Sequence, residues 1–254
     1  DARRRNSFKN QPELFKWNLL KLAEAIQDAV PLQESISSLE ERFHAEFENC
    51  FLAKMRLKLG LVKKELPTDK NVITSLFDTM EQTGADFTNT FRCLCRVSPS
   101  SCTSTESGDE DVVEYLVSQC VSLQGMIKTT SNFVEWRVRL DQEFDGQQNS
   151  DQVNNERIRI MNSNNPRLIL RNYIAQNAIE AAENGDFTVV QNLLRRLETP
   201  YSEDTELQKA IFPQRKSIES SRTSHHTPAL FNISDPLEMY LDKPPDDALN
   251  MRLT

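Results

Sequence analysis

Six apolar residues, Leu39, Phe43, Phe47, Phe51, Met55 and Leu59, recur at steps of four and end at Gly60. That step keeps side chains on one face of an α-helix. The spacing predicts a long helix from Ser35 to Leu59, with Gly60 as its left-handed stop and the aromatic stripe turned into a core. Little else in the chain favours strands. Only 6 of its 254 residues are Gly, few for an architecture built on tight hairpin turns, and helical spacing keeps returning. The fold class expected is mainly α.

Ahead of the stripe, NQPELFKWNLLKLAEAIQDAV predicts a helix. Asn10 is its expected cap, and Pro12 sits in the first turn, where a missing N–H costs nothing. Leu14, Trp17, Leu20, Leu22, Ala25 and Ile26 supply the inner face, and Pro31 ends it. After the stripe, NVITSLFDTMEQTG and ADFTNTFRCLCRV predict two shorter helices meeting at Gly84. VVEYLVSQCVSLQGMI and SNFVEWRVRLDQEF read as helical too. Residues 98 to 111 are a polar loop whose acidic end suits the start of a helix. Residues 145 to 155, rich in Gln, Asn, Asp and Gly, make another loop.

In NPRLILRNYIAQNAIEAAENGDF, Asn165 is expected to cap a helix, Pro166 to take its first position and Gly185 to stop it. Leu168, Ile169, Tyr173, Ile174, Ala178 and Ile179 form its inner face. Asp186 then caps a second helix, with Val190, Leu193, Leu194 and Leu197 turned inward, closed by Pro200. The two helices make a hairpin. The organisation expected is a helical domain over residues 1 to 200, then an irregular linker and tail over residues 201 to 254.

A net charge of −8 and a pI near 5.1 argue against nucleic acid as a partner, because phosphate backbones are held by basic surfaces. The Arg3, Arg4 and Arg5 run, followed by Asn6 and Ser7, reads as a solvated turn; a phosphate contact or kinase target is the alternative. No apolar run approaches the roughly 20 residues of a membrane span. Cys50, Cys93, Cys95, Cys102 and Cys120 form an odd set, which fits reduced thiols in an intracellular compartment. The chain opens on Asp1 with no signal segment and no initiator Met, so upstream sequence is expected to be missing.

Groups that could carry chemistry are not assembled by the sequence. His225 and His226 are adjacent, and Cys93-x-Cys95 has no second pair at zinc-finger spacing. Cys93 and Cys95 are expected on opposite edges of a short helix. His44 and Cys50 formally make a base and a nucleophile, but their spacing on one helix points them to different faces. No Gly-rich phosphate loop, Walker lysine or G-x-S-x-G elbow occurs. The sequon from Asn232 to Ser234 carries little in an intracellular chain. AAENGDFTVVQNLL looks like the helical part of an ankyrin repeat, yet no second copy follows at a period of about 33 residues.

Taken in order, several blocks resemble the selenoprotein O (YdiU) family. The first, DARRRNSFKNQPELFKWNLLKLAEAI, is similar to the family's Ser-Asp-x-x-Gly-Arg-Tyr-Ser-Phe-x-Asn-Gln-Pro segment and its Trp-Asn-Leu-x-x-Leu-Ala helix. Asp1, Arg5, Ser7, Phe8, Asn10, Gln11, Pro12, Trp17, Asn18, Leu19, Leu22 and Ala23 match, while Arg4 and Asn6 replace the usual Gly and Tyr. The likeness continues through MRLKLGL, ADFTNTFRCL and NPRLILRNY, the last resembling the family's Asn-Pro-x-x-x-Leu-Arg-Asn-Tyr. It ends at KPPDDALNMRLT, where Asp247 stands in place of a usual Trp.

The resemblance implies a protein-kinase-like fold that transfers AMP: an ATP-dependent protein adenylyltransferase, working with Mg²⁺ on Ser, Thr or Tyr hydroxyls of protein substrates. Residues 1 to 200 are then C-lobe helices plus a family-specific helical extension. The ATP-binding, catalytic and metal-binding residues are expected before Asp1, so none is assigned within this chain, and the chain itself is expected to be inactive. A mitochondrial location is implied as well. So is a redox role for a Cys or selenocysteine near the chain end, where this sequence stops at Thr254; the expectation is a reading frame halted at a misread selenocysteine codon. Without the resemblance the same residues allow a non-enzymatic, all-helical interaction scaffold. A pseudoenzyme is a third reading.

Overall fold

A computed structural model describes residues 10–99, 113–114, 116–117, 123–145 and 150–202. Among these residues every regular element is a helix and no strand occurs. The helices with defined bounds are α1 (Gln11–Ala25), α2 (Leu32–Leu59), α3 (Asp69–Thr83), α4 (Phe87–Leu94), α5 (Leu123–Phe144), α6 (Ser150–Asn164), α7 (Asn172–Glu183) and α8 (Thr188–Glu198). None is long and apolar enough to cross a membrane. The described residues fall into two compact units, one ending at Met55 and the other starting at Arg56.

In the first unit, α1 carries Pro12 in its opening turn as expected, although the Asn10 side chain makes no cap hydrogen bond. Ala23 is the buried residue of this helix, while Trp17, Leu22 and Ile26, read as inward-facing, are exposed. The stripe on α2 is also less buried than its spacing predicts. Met55 and Leu59 are buried, but Phe47 is 40% exposed. The Phe43, Phe47 and Phe51 rings stack on one another instead, with centroids 6.3 and 6.0 Å apart. Periodicity reports which residues share a face; it takes a packed second layer to bury that face.

In the second unit, Gly60 ends α2 with φ +76°, as the sequence requires. A Cβ there would lie 2.7 Å from Met161 Sδ and 3.0 Å from Arg157 Cγ and Cδ, so close packing as well as backbone conformation demands glycine. α3 packs along α5. Ser75 donates to Asn132 Oδ1 at 2.9 Å, and Asn132 Nδ2 returns a bond to the Ser75 carbonyl at 2.8 Å. Trp136, only 1% exposed, donates its indole N–H to the Leu59 carbonyl at 3.2 Å. Gly84, with φ +69°, joins α3 to α4 where expected, and Asp86 caps α4 by accepting the Asn89 N–H at 2.8 Å.

Two expectations fail in instructive ways. Residues 150 to 155, read as loop from their polar composition, open α6. Its buried face is Asn154, Arg157 and Met161, and two polar residues leave no apolar period to read. Asn165 does not start a helix. Its N–H closes on the Met161 carbonyl at 2.9 Å, finishing α6, and Arg167 N–H bonds Pro200 O at 2.7 Å, so the chain stays irregular until α7 begins at Asn172. The α7–α8 hairpin itself is present. Leu168, Tyr173, Ile174, Ala178 and Leu193 form its core, flanked by Val189 and Leu197, whereas Ile169, Ile179, Val190 and Leu194 face out. Gly185 turns the hairpin with φ +86°, and Asp186 accepts the Thr188 N–H at 3.0 Å.

Candidate functional site

Four charged side chains, Arg56, Asp69, Arg139 and Glu143, meet around the loop between α2 and α3. Asp69, at the first position of α3, is fully buried. Its Oδ1 accepts from Arg139 Nε at 2.6 Å, and its Oδ2 accepts from Arg56 Nε at 2.7 Å and from Leu66 N–H at 3.1 Å. One turn along α5 from Arg139, buried Glu143 receives its guanidinium at 2.7 Å. The second oxygen of Glu143 takes Lys63 N–H at 2.6 Å, and Arg139 NH2 donates to the Lys64 carbonyl at 2.7 Å. Loop backbone and three helices are thereby fastened through two carboxylates and two guanidiniums.

Burial alone would raise the Asp69 pKa, but hydrogen bonds from Arg139, Arg56 and Leu66 N–H outweigh it and hold the carboxyl below the ordinary range. Burial likewise opposes the charge on Arg139, and Asp69 and Glu143 more than restore it. Both oxygens of Asp69 are occupied by donors. A general base needs a lone pair within reach of a substrate proton; this carboxylate is committed to the fold.

A second polar knot joins α2, α4 and the segment after α6. Lys58 Nζ donates to the Asn164 carbonyl at 2.7 Å and to Asn165 Oδ1 at 3.2 Å, while Asn165 Nδ2 donates back to the Lys58 carbonyl at 2.9 Å. The ammonium lies 5.8 and 5.5 Å from the ring centroids of Phe87 and Phe91. Burial lowers the Lys58 pKa, an effect opposed by nearby Cys95. Arg92 NH1 donates to Asn162 Oδ1 and to the Asn165 carbonyl, both at 3.2 Å. Arg171 reaches the α4 cap, with NH2 2.8 Å from Asp86 Oδ1. The three blocks MRLKLGL, ADFTNTFRCL and NPRLILRNY, far apart in sequence, thus meet in one place.

The pairings weighed in the sequence do not assemble. His44 is exposed, hydrogen-bonded to Lys16 at 3.3 Å and 4.0 Å from Glu13, and exposed Cys50 lies on another face of α2. Cys93 and Cys95 are both buried at the end of α4. Desolvation pushes the Cys93 thiol up to about 12, so it stays protonated and unreactive at neutral pH. Among the described residues no group of three His, Cys, Asp or Glu is placed to hold a metal ion. Arg3, Arg4, Arg5, Cys102, Cys120, His225, His226, the Asn232 sequon and the KPPDDALNMRLT block lie outside the described residues. The buried networks were not foreseen. Only the four-residue spacing of Arg139 and Glu143 hinted at a pair, and nothing local marks that pair as buried.

Comparison with known proteins fits this arrangement of blocks. Residues 1–198 match the family model described as protein adenylyltransferase SelO. The mouse mitochondrial protein adenylyltransferase SelO is 34% identical over 88% of this chain and 42% of its own length. The human mitochondrial protein of the same name is 35% identical over 78% of this chain and 38% of its own. The protein nucleotidyltransferase YdiU of Photobacterium profundum is 32% identical over 80% and 38%. The class so defined is that of nucleotidyltransferases that act on proteins. Within it, the chain belongs to the SelO protein adenylyltransferase family. It spans about two fifths of the length of the curated relatives it matches.

Proposed function

We propose that these residues are the helical scaffold of a protein adenylyltransferase that moves AMP from ATP, with Mg²⁺, onto Ser, Thr or Tyr hydroxyls of protein substrates. The observation that carries this reading is the family match over residues 1–198, joined by relatives named protein adenylyltransferase. In this reading residues 1 to 200 complete the C-lobe of a kinase-like fold and add a family-specific helical extension, with residues 201 to 254 as linker and tail. Nucleotide and metal are bound by polypeptide outside these 254 residues. The saturated carboxylate of Asp69 and the committed ammonium of Lys58 favour a supporting role over a chemical one. Mitochondrial placement follows the names of the mouse, human and zebrafish relatives. A redox link through a Cys or selenocysteine near the chain end belongs to the same reading.

The test is transfer of label from α-labelled ATP, with Mg²⁺, onto protein substrates. Label is expected from the full-length polypeptide and none from residues 1–254 alone. Transfer by the 254-residue chain alone would overturn the division of labour. Nucleotide binding without transfer by the full-length protein would make it a pseudoenzyme. The exposed apolar side chains of Trp17, Leu22 and Phe47 favour one rival, a non-enzymatic interaction scaffold; absence of any nucleotide binding by the full-length protein would select it.

A further inference from the structure

Asn184 precedes Gly185, the one Asn-Gly step in the 254 residues. Such a step can modify itself, because no side chain shields the glycine nitrogen and the asparagine amide carbon lies one five-membered ring away from it. Asn184 is exposed, and a Cβ built on Gly185 would meet nothing within 4 Å, so sterically the step is open. The turn between α7 and α8 nevertheless holds both reacting groups. Gly185, with φ +86°, donates its N–H to the Ala182 carbonyl at 2.9 Å, and Asp186 N–H reaches the Ala181 carbonyl at 2.9 Å, the paired bonds that close a helix through a left-handed glycine. Asn184 Nδ2 donates to the Glu180 carbonyl at 2.8 Å. The Asn184 ψ of 6° sets the Gly185 nitrogen almost in eclipse with the nitrogen of Asn184 itself. Cβ leaves Cα by a different corner of the tetrahedron, so the ring cannot close until the Cα–C bond of Asn184 turns.

We infer that Asn184 is a self-modification site gated by the α7–α8 hairpin: the closed turn protects it, and each local opening exposes it to conversion into aspartate and isoaspartate. In the opened turn the Gly185 nitrogen gives its proton to water and bonds to Asn184 Cγ. The Cγ–Nδ2 bond breaks, and Nδ2 leaves as ammonia with a proton returned by water. Water then opens the resulting succinimide. Cleavage at Cγ gives aspartate, and cleavage at the former backbone carbonyl gives isoaspartate. One water is consumed and one ammonia released, with no change of oxidation state. The change runs one way and weakens its own gate. The product has no Nδ2 to give the Glu180 carbonyl. Its new carboxylate stands at the C-terminal end of α7, beside Glu183 and Asp186, where the helix dipole disfavours negative charge. Isoaspartate further lengthens the backbone by one carbon, which breaks the register of the Gly185 and Asp186 bonds.

The experiment follows conversion at Asn184 in the 254-residue chain at pH 8, native and in guanidinium, by peptide mass spectrometry with fragmentation that separates isoaspartate from aspartate. The expected result is formation of both products in guanidinium and at least a tenfold slower rate in the native chain. Leu193→Ala loosens the hairpin core without touching the reacting groups. It should raise the native rate at least threefold and leave the rate in guanidinium unchanged. If that variant loses the hairpin altogether, as far-UV circular dichroism and proteolysis would show, its native rate should equal the rate in guanidinium. Equal native and denatured rates in the parent chain overturn the gate, as does a native rate that Leu193→Ala leaves unmoved. No conversion in guanidinium overturns the site itself. Converted chain, separated by ion exchange, should show at least tenfold faster amide hydrogen exchange in α7 and α8 than the parent. Unchanged exchange there would overturn the loosening.

Discussion

Lys58 and Asn165 exchange hydrogen bonds across more than a hundred residues of chain: the ammonium donates to Asn165 Oδ1 at 3.2 Å, and Asn165 Nδ2 donates to the Lys58 carbonyl at 2.9 Å. This pair ties the end of α2 to the segment following α6, and Arg92 adds α4 to the same knot. Asn165 is 1% exposed, and its truncation takes from the Lys58 carbonyl its side-chain donor and from the Lys58 ammonium one of its two acceptors. Asn165→Ala should cost about 1–3 kcal/mol, the usual penalty for stranding buried polar partners. Urea denaturation of the two proteins checks it, and an unchanged midpoint would refute the knot.

The Asp69 clamp carries a pH signature. The native carboxyl titrates below its unfolded value of about 3.8. A depressed carboxyl contributes stability that is fully present above the unfolded pKa and disappears as pH falls through the native one. The loss therefore sets in at about pH 4 and grows as acid is added. Asp69→Asn should cost about 3–5 kcal/mol at neutral pH, because Arg139 and Arg56 lose a buried partner. It should also flatten the acid limb of stability against pH. Parallel acid limbs for the two proteins would exclude Asp69 as the titrating group.

Two glycines separate backbone strain from crowding. Gly60 and Gly185 both have positive φ, at +76° and +86°. A Cβ at Gly60 meets Met161 and Arg157, whereas one at Gly185 meets nothing within 4 Å. Gly185→Ala should cost about 1 kcal/mol of strain alone. Gly60→Ala should cost more, about 2–4 kcal/mol, since the Met161 thioether must also move. Thermal melts that rank the two in the opposite order would contradict the close approach.

How much of this was legible in the sequence depends on what held each element. Gly60, Gly84 and Gly185 could be placed from sequence because left-handed stops have a local chemical signature. So could Pro12 at the start of α1. The α6 start could not, because its buried face uses Asn154 and Arg157, whose burial is made possible by distant partners. Arg157 donates to the Val97 carbonyl, and Asn154 Nδ2 to Ser98 Oγ at 3.2 Å. Asn165 departs from its local pattern for the same reason. An Asn before Pro is a strong helix-start pattern, and here the amide serves Lys58 instead. The site was legible only as family blocks; their convergence is a tertiary fact.

Thiol chemistry should follow burial rather than sequence motif. Cys50 is exposed, while Cys93 and Cys95 are 2% and 3% exposed. Alkylation at pH 8, mapped by peptide mass spectrometry, should modify Cys50 within minutes and leave Cys93 and Cys95 intact until denaturant is added. Raising the pH to 9 should not recruit Cys93, whose thiol titrates at about 12. Rapid native labelling at Cys93 would mean that α4 opens far more readily than its burial suggests.

Phe47 and Trp136 test where the core lies. Both are large aromatics on strongly patterned helices, and the four-residue stripe on α2 made Phe47 look like core. The structure leaves Phe47 40% exposed, in contact with Phe43 and Phe51 along its own helix, and seals Trp136 to 1% with its indole N–H on the Leu59 carbonyl. Stacking along a helix surface contributes a few tenths of a kcal/mol, about the size of an exposed side-chain pair. Truncating a buried aromatic costs about 3–5 kcal/mol. In this chain Phe47→Ala should therefore shift the denaturation midpoint little, and Trp136→Ala should lower it severely. A larger loss for Phe47→Ala than for Trp136→Ala in urea denaturation would contradict the burial of the two rings.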